Sequence, residues 1–133
     1  MTLIILYVAT ALIFLTVDYV GLSYLVKPVF EKDIAHLMIE DIRLAPAAVF
    51  YAFLVAVLVW FVSWPALVQD RGLLWVLGNA ALIGALAYGT FEFTALTILK
   101  DWTWRMVWTD VIWGTVLTMV SAAGGVWAVR LIG

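Results

Sequence analysis

Four long apolar runs, separated by short polar clusters, organise the chain. They cover roughly residues 2–26, 45–67, 73–99 and 106–131, each long enough for the ~20-residue helix that crosses a hydrocarbon core of about 30 Å. The polar interval after the first run has a pattern of its own. Pro28 suits a first helical turn. Phe30, Ile34, Leu37, Met38 and Ile42 then fall mostly on one face, with Glu31, Lys32, Asp33 and Glu40 elsewhere. The pattern predicts an all-α, four-transmembrane-helix bundle with a short amphipathic surface helix between spans one and two. That surface helix either covers the ends of the spans or acts as a gate or docking element. No internal repeat and no linker divides the chain, so residues 1–133 read as a single integral membrane domain.

Composition agrees with this pattern. Of all residues 67% are hydrophobic and 12% charged, about half the ~25% charge of a soluble domain. Lipid is therefore the expected solvent. The first run has no Lys or Arg before it and extends well past a signal-peptide core, so it reads as a retained span.

Net charge is −2 with no basic run, which gives nucleic acid no purchase. The chain has no Cys, which excludes disulfides, thiolate metal sites and cysteine nucleophiles. His36 is the single histidine and cannot form a bis-histidine haem site, and no Lys lies within a span to carry a pigment as a Schiff base. No cofactor and no resident metal are expected: a carboxylate cage for Mg²⁺ or Ca²⁺, with His36 folded over it, finds no dense motif in support.

Orientation follows from the basic residues. Lys27, Lys32, Arg43, Lys100 and Arg105 lie in loops one and three, against Arg71 and Arg130 on the opposite side. This places loops one and three in the cytoplasm and both termini outside. Trp60, Trp64, Trp75 and Trp127 fall near the outer ends of spans, and Trp102, Trp104 and Trp108 near the cytoplasmic end of the last, as interfacial belts do. Trp113 sits deeper and is expected to pack against another helix.

Small residues predict where helices meet. Gly78, Ala81 and Ala85 share a face of span three, Ala81, Ala85 and Gly89 form a small-xxx-small series, and Gly114, Thr118 and Ala122 form another in span four. The same rows equally suit a homo-oligomer or a membrane-protein partner.

Candidate chemistry centres on three acids within the spans, Asp18, Glu92 and Asp110. An Asp at a helix centre costs about 2.5–3.5 kcal/mol on insertion scales, and no Lys or Arg inside a span offsets it. Asp18 lies nine residues before Lys27 and Glu92 eight before Lys100, both roughly 12–14 Å inside their helix ends. Asp110 follows Arg105 by five residues, roughly 8 Å in. Three acids on three helices thus reach a similar layer. Ala85 and Glu92 share a face with Tyr88 beside them, while Asp110, Gly114, Leu117 and Ser121 are close in azimuth, so both acids should face the small-residue seam. Tyr88, Thr90, Thr94 and Thr109 are hydroxyls placed to complete a hydrogen-bond network. Such acids either join helices, helped by Arg43 or Arg105 reaching inward, or form a site for a proton, a cation or a polar group of a substrate.

Five stretches carry a resemblance over essentially the whole chain: Asp18-Tyr-Val-Gly-Leu, Ala47-Ala-Val-Phe-Tyr51, Tyr88-Gly-Thr-Phe-Glu-Phe-Thr94, Thr97-Ile-Leu-Lys-Asp-Trp102 and Asp110-Val-Ile-Trp-Gly114. In these the sequence resembles the small bacterial membrane proteins of domain-of-unknown-function family 2177. The family pattern in span three reads Tyr-x-Thr-Tyr-Asp-Leu-Thr-Asn. Glu92 stands here at its acidic position, and Ala95 replaces the Asn. A Trp expected near Val20 or Gly21 is also absent. The resemblance implies a four-span protein of a bacterial inner membrane with acids at positions 18, 92 and 110, and implies no activity.

Three functions fit. The first is a small transporter or binding protein in which Glu92, Asp110, Asp18, Tyr88 and Thr94 handle a proton, cation or cationic solute. The second is a membrane enzyme acting on a lipid or isoprenoid, with one carboxyl as general acid and a neighbour as base. The third is an accessory subunit of a membrane complex.

Overall fold

Nothing between Val26 and Lys27 stops the first helix, and in the computed structural model, which describes residues 1–132, it runs on as α1, Thr2–Leu37. Its 36 residues span about 54 Å at ~1.5 Å each, far more than a ~30 Å core. The polar segment expected to be a separate surface helix is therefore a continuation of α1 beyond its apolar stretch, ending in a 3-10 turn at Ala35–Leu37. The physical reason lies in Pro28. A proline inside a helix removes one N–H and crowds the carbonyl four residues back. Here a π turn at Leu22–Val26 precedes it, with the Lys27 N–H donating to the Leu22 carbonyl, and the widened backbone lets the helix proceed.

The second helix uses the same device. In α2, Leu44–Val68, a π turn at Val59–Ser63 lies just before Pro65, with the Trp64 N–H bonded to the Val59 carbonyl. Each π turn ends two residues ahead of its proline. Helices α3, Leu73–Ile98, and α4, Trp104–Ile132, contain no proline and run unbroken. The four helices have the length and hydropathy to cross a bilayer.

Helix α4 is the hub, packing most extensively on α3 and then on α1. Its row Gly114, Thr118, Ala122 is buried as its spacing predicts. The facing row on α3 differs from the expected one: Ala80, Gly84 and Glu92 are buried, while Gly78 is exposed. A Cβ on Gly84 would lie 2.8 Å from the Thr118 Oγ1 and 2.9 Å from the Gly114 carbonyl, so the backbones meet there, whereas one on Gly78 would meet nothing within 4 Å. Both rows of α3 are small enough to serve. The chosen one also carries the buried acid, eight residues on from Gly84.

Two apolar clusters fill the interior away from the acids. One joins Leu6 and Phe14 to Leu54, Val55, Leu117 and neighbours. The other joins Leu58, Val62 and Ala66 to Val76, Ala80, Ala122 and Val126. Large apolar side chains such as Leu82, Leu86, Phe53 and Trp60 point outward, an arrangement that water would punish and lipid accepts.

Candidate functional site

The three acids meet in one place. Asp18 from α1, Glu92 from α3 and Asp110 from α4 are all buried and line a common cavity of about 400 Å³. Tyr51 of α2 and Tyr88 of α3 complete its inner wall, and Leu22 and Val26 bring the first π turn to its rim. Its mouth lies toward loop one, between Lys27 and Phe30 on α1 and Met38–Ile42.

Each acid has its own surroundings. Asp18 Oδ1 accepts a 3.3 Å hydrogen bond from Trp113 Nε1 of α4, and the Tyr51 hydroxyl faces the same carboxyl. Trp113 can approach because position 21 is glycine; a Cβ there would run into the indole ring. Glu92 is fully buried, and its Oε1 accepts a 3.0 Å bond from Trp102 Nε1. Glu92 and Asp110 face the same cavity from α3 and α4. Glu92 Oε2 has no hydrogen-bond partner, and neither has the buried Tyr88 hydroxyl. Buried polar atoms are rarely left unpaired, and these two belong to residues that line the cavity. Tyr88 is seated on Gly114, whose missing side chain leaves room for its ring.

Thr94 is not part of this group. It is exposed on the outer face of α3, because two residues on from Glu92 is a rotation of about 200°. Thr90 is exposed as well and bonds the Leu86 carbonyl of its own helix. Neither Arg43 nor Arg105 reaches the acids: Arg105 instead pairs with Asp33.

Several residues outside the expected set hold the site together. Trp102, expected in the interfacial belt, turns inward to Glu92 and packs edge-on against Phe30 and Phe91 at 5.6 and 5.8 Å between ring centroids. Its turn is set by Asp101, whose φ of 66° lies in the left-handed region that Asp tolerates. Thr103 caps α4, accepting the Met106 N–H at 3.2 Å, and donates to Asp33 Oδ2 at 2.7 Å. Together with Arg105 it holds the Asp33 carboxyl, on the polar extension of α1, below its ordinary pKa. His36 Nε2 and Asp101 Oδ2 stand 3.0 Å apart. Loop three is thereby clasped to the α1 extension, and Trp102 is carried with it. Aromatic type and the Thr103 cap position are visible in the chain; the inward turn is not, because it depends on contacts some 70 residues apart, as for Asp33 and Thr103.

Among the described residues no group of three or more His, Cys, Asp or Glu side chains has the geometry to hold a metal ion.

Comparison with known proteins places the chain in a family. A family model described as predicted membrane protein (DUF2177) matches residues 3–127, and the chain belongs to that family, as a multi-pass membrane protein. No curated protein and no solved structure matches it.

Proposed function

We propose that this member of the family binds a cationic group in its carboxyl-lined cavity, as a small transporter or binding protein. One observation carries the reading: three carboxyls from three helices converge on one cavity with no basic side chain among them, and Glu92 Oε2 is left unpartnered. Lys27 stands at the mouth rather than beside the acids. Introducing a cation costs less here than in lipid, since the carboxyls supply charge and the tyrosine and phenylalanine faces supply their quadrupoles. In the empty site protonation of a carboxyl relieves the repulsion of like charges. Arrival of a cation releases that proton, so binding and proton movement are linked.

The reading includes a bacterial inner membrane, loops one and three in the cytoplasm, and a homo-oligomer formed through lipid-facing surfaces. Glu92 is its central proton-exchanging group, Asp110 and Asp18 share the charge, and Tyr88 offers its free hydroxyl. The test is flux of protons and monovalent organic cations in liposomes holding the pure protein, with Glu92→Gln alongside. Saturable flux or proton release in wild type, lost in a folded Glu92→Gln, supports it. A folded wild type that neither binds nor moves a cation under either pH gradient overturns it.

A further inference from the structure

The acid cavity has a second opening, through its side. The first half of α2 stands away from α3, and the two helices meet mainly at the Val59–Ser63 turn. Between them lies a cavity of about 630 Å³, walled by Pro46, Ala47 and Phe50 of α2 and by Ala87 and Phe91 of α3. Tyr51, Tyr88, Phe91 and Asp110 line this cavity and the acid cavity alike. Phe50 and Phe91 are 40% and 56% exposed, so the opening gives onto the outside of the bundle. Ala87 and Phe91 lie 11 and 7 residues before Ile98, the end of α3, roughly 10–16 Å along the helix. That depth is within one leaflet of the hydrocarbon core.

The two cavities differ in chemistry. The one toward loop one carries the three acids and the charged Lys27 and Glu40 at its mouth. The lateral one is apolar except for Tyr51, Tyr88 and Asp110 at its inner end. A small hydrophilic cation would need only the first. An apolar passage that ends at an unpartnered tyrosine hydroxyl and the Asp110 carboxyl suits a molecule with the same division. Resting on the reading above, we infer that the ligand is a single-chain amphiphile with a protonated amine head. The head sits among Asp18, Glu92 and Asp110, the Tyr88 hydroxyl bonds it, and the chain leaves between α2 and α3 into the leaflet. Both volumes fall in the ordinary range of ligand pockets, about 300–1,000 Å³. A doubly acylated lipid would bring a second chain for which the passage offers no separate path. A neutral alcohol would leave the carboxyl charge uncompensated.

Saturable retention of dodecylamine, butylamine and dodecanol by the protein in phosphatidylcholine nanodiscs, corrected for empty discs, tests this. The variants are Glu92→Gln and Ala47→Trp, the latter placing an indole in the lateral passage at the half-buried rim. Circular dichroism and gel filtration in each case establish that the variant is folded. The expected result is saturable dodecylamine retention in wild type, weakened at least tenfold by Glu92→Gln and several-fold by Ala47→Trp. Butylamine should bind more weakly and be insensitive to Ala47→Trp, and dodecanol should not saturate. If both amines bind equally at matched disc concentration and Ala47→Trp affects neither, the amphiphile is wrong while the cation site stands. Dodecanol binding as well as dodecylamine overturns the amine head. If neither amine binds to folded wild type, the underlying cation reading fails too.

Discussion

Trp102 Nε1 donates to Glu92 Oε1 across 3.0 Å, joining the loop before α4 to the most deeply buried acid. Only one of the two carboxyl oxygens is occupied in this way. The bond fixes the side chain that the proposed site depends on and leaves Oε2 without a partner. Interhelical polar bonds in membranes average about 0.6 kcal/mol, because the separated helices find other partners. Here the carboxyl is shut away from water and lipid, which moves the value toward the cost of an unpaired buried group, about 1–3 kcal/mol.

Trp102→Phe keeps the ring packing against Phe30 and Phe91 and removes the N–H. It should destabilise the protein by about 1–2 kcal/mol and loosen Glu92. Glu92→Gln retains an acceptor for Trp102, so it should cost less stability than Trp102→Phe while removing cation binding. Thermal unfolding in detergent, combined with the binding assay, separates the two. Equal losses of stability with binding intact in both would remove Glu92 from the site.

Gly114→Ala and Gly78→Ala form a matched pair. At position 114 the new methyl meets the Tyr88 ring, and at 78 it meets nothing within 4 Å. Overpacking of this kind costs about 1–3 kcal/mol, whereas an exposed helical Gly→Ala gains up to ~1 kcal/mol. Opposite shifts in melting temperature are expected. Tyr88→Leu, which relieves the crowding, should recover part of the Gly114→Ala loss.

The clasp between Asp33 and Thr103 predicts a response to acid. Thr103 first, then Arg105, lowers the Asp33 pKa from its ordinary 3.8. A carboxyl lowered on folding contributes fully above its unfolded value and loses that contribution as pH falls through the folded one. Pepsin cleavage within Lys27–Leu37 should therefore set in across that acidic window in wild type. Asp33→Asn should be cut throughout it. Cleavage that is identical in both proteins would show that the clasp does not hold the extension.

Topology can be read chemically, since the chain has no Cys. Asp41→Cys lies in loop one and Gln69→Cys in loop two, both exposed. An impermeant maleimide added to intact cells should label position 69 and reach position 41 only after lysis. The reverse pattern would invert the orientation set by the basic residues.

The depth of Asp18, Glu92 and Asp110 is legible in the chain, because rise per residue converts a count from the nearest charged end into a distance. Azimuth is legible where one row is available, as on α4, where Gly114, Thr118 and Ala122 are buried. On α3 two small rows compete, one residue or about 100° apart, and hydropathy does not rank them. The partner surface ranks them: Thr118 and the Gly114 carbonyl close upon Gly84. The same rotation carries Thr94 out of the site and brings Tyr88 over Gly114.

By itself the sequence determined an all-α membrane protein with four spans and acids on three of them, because hydropathy and run length depend only on local composition. Tertiary structure decided that α1 continues past Pro28, that Trp102 turns inward, and that the first half of α2 leaves a lateral gap. These outcomes depend on where backbone bonds find partners and which surfaces approach across long separations in the chain. No local count of residues contains that information.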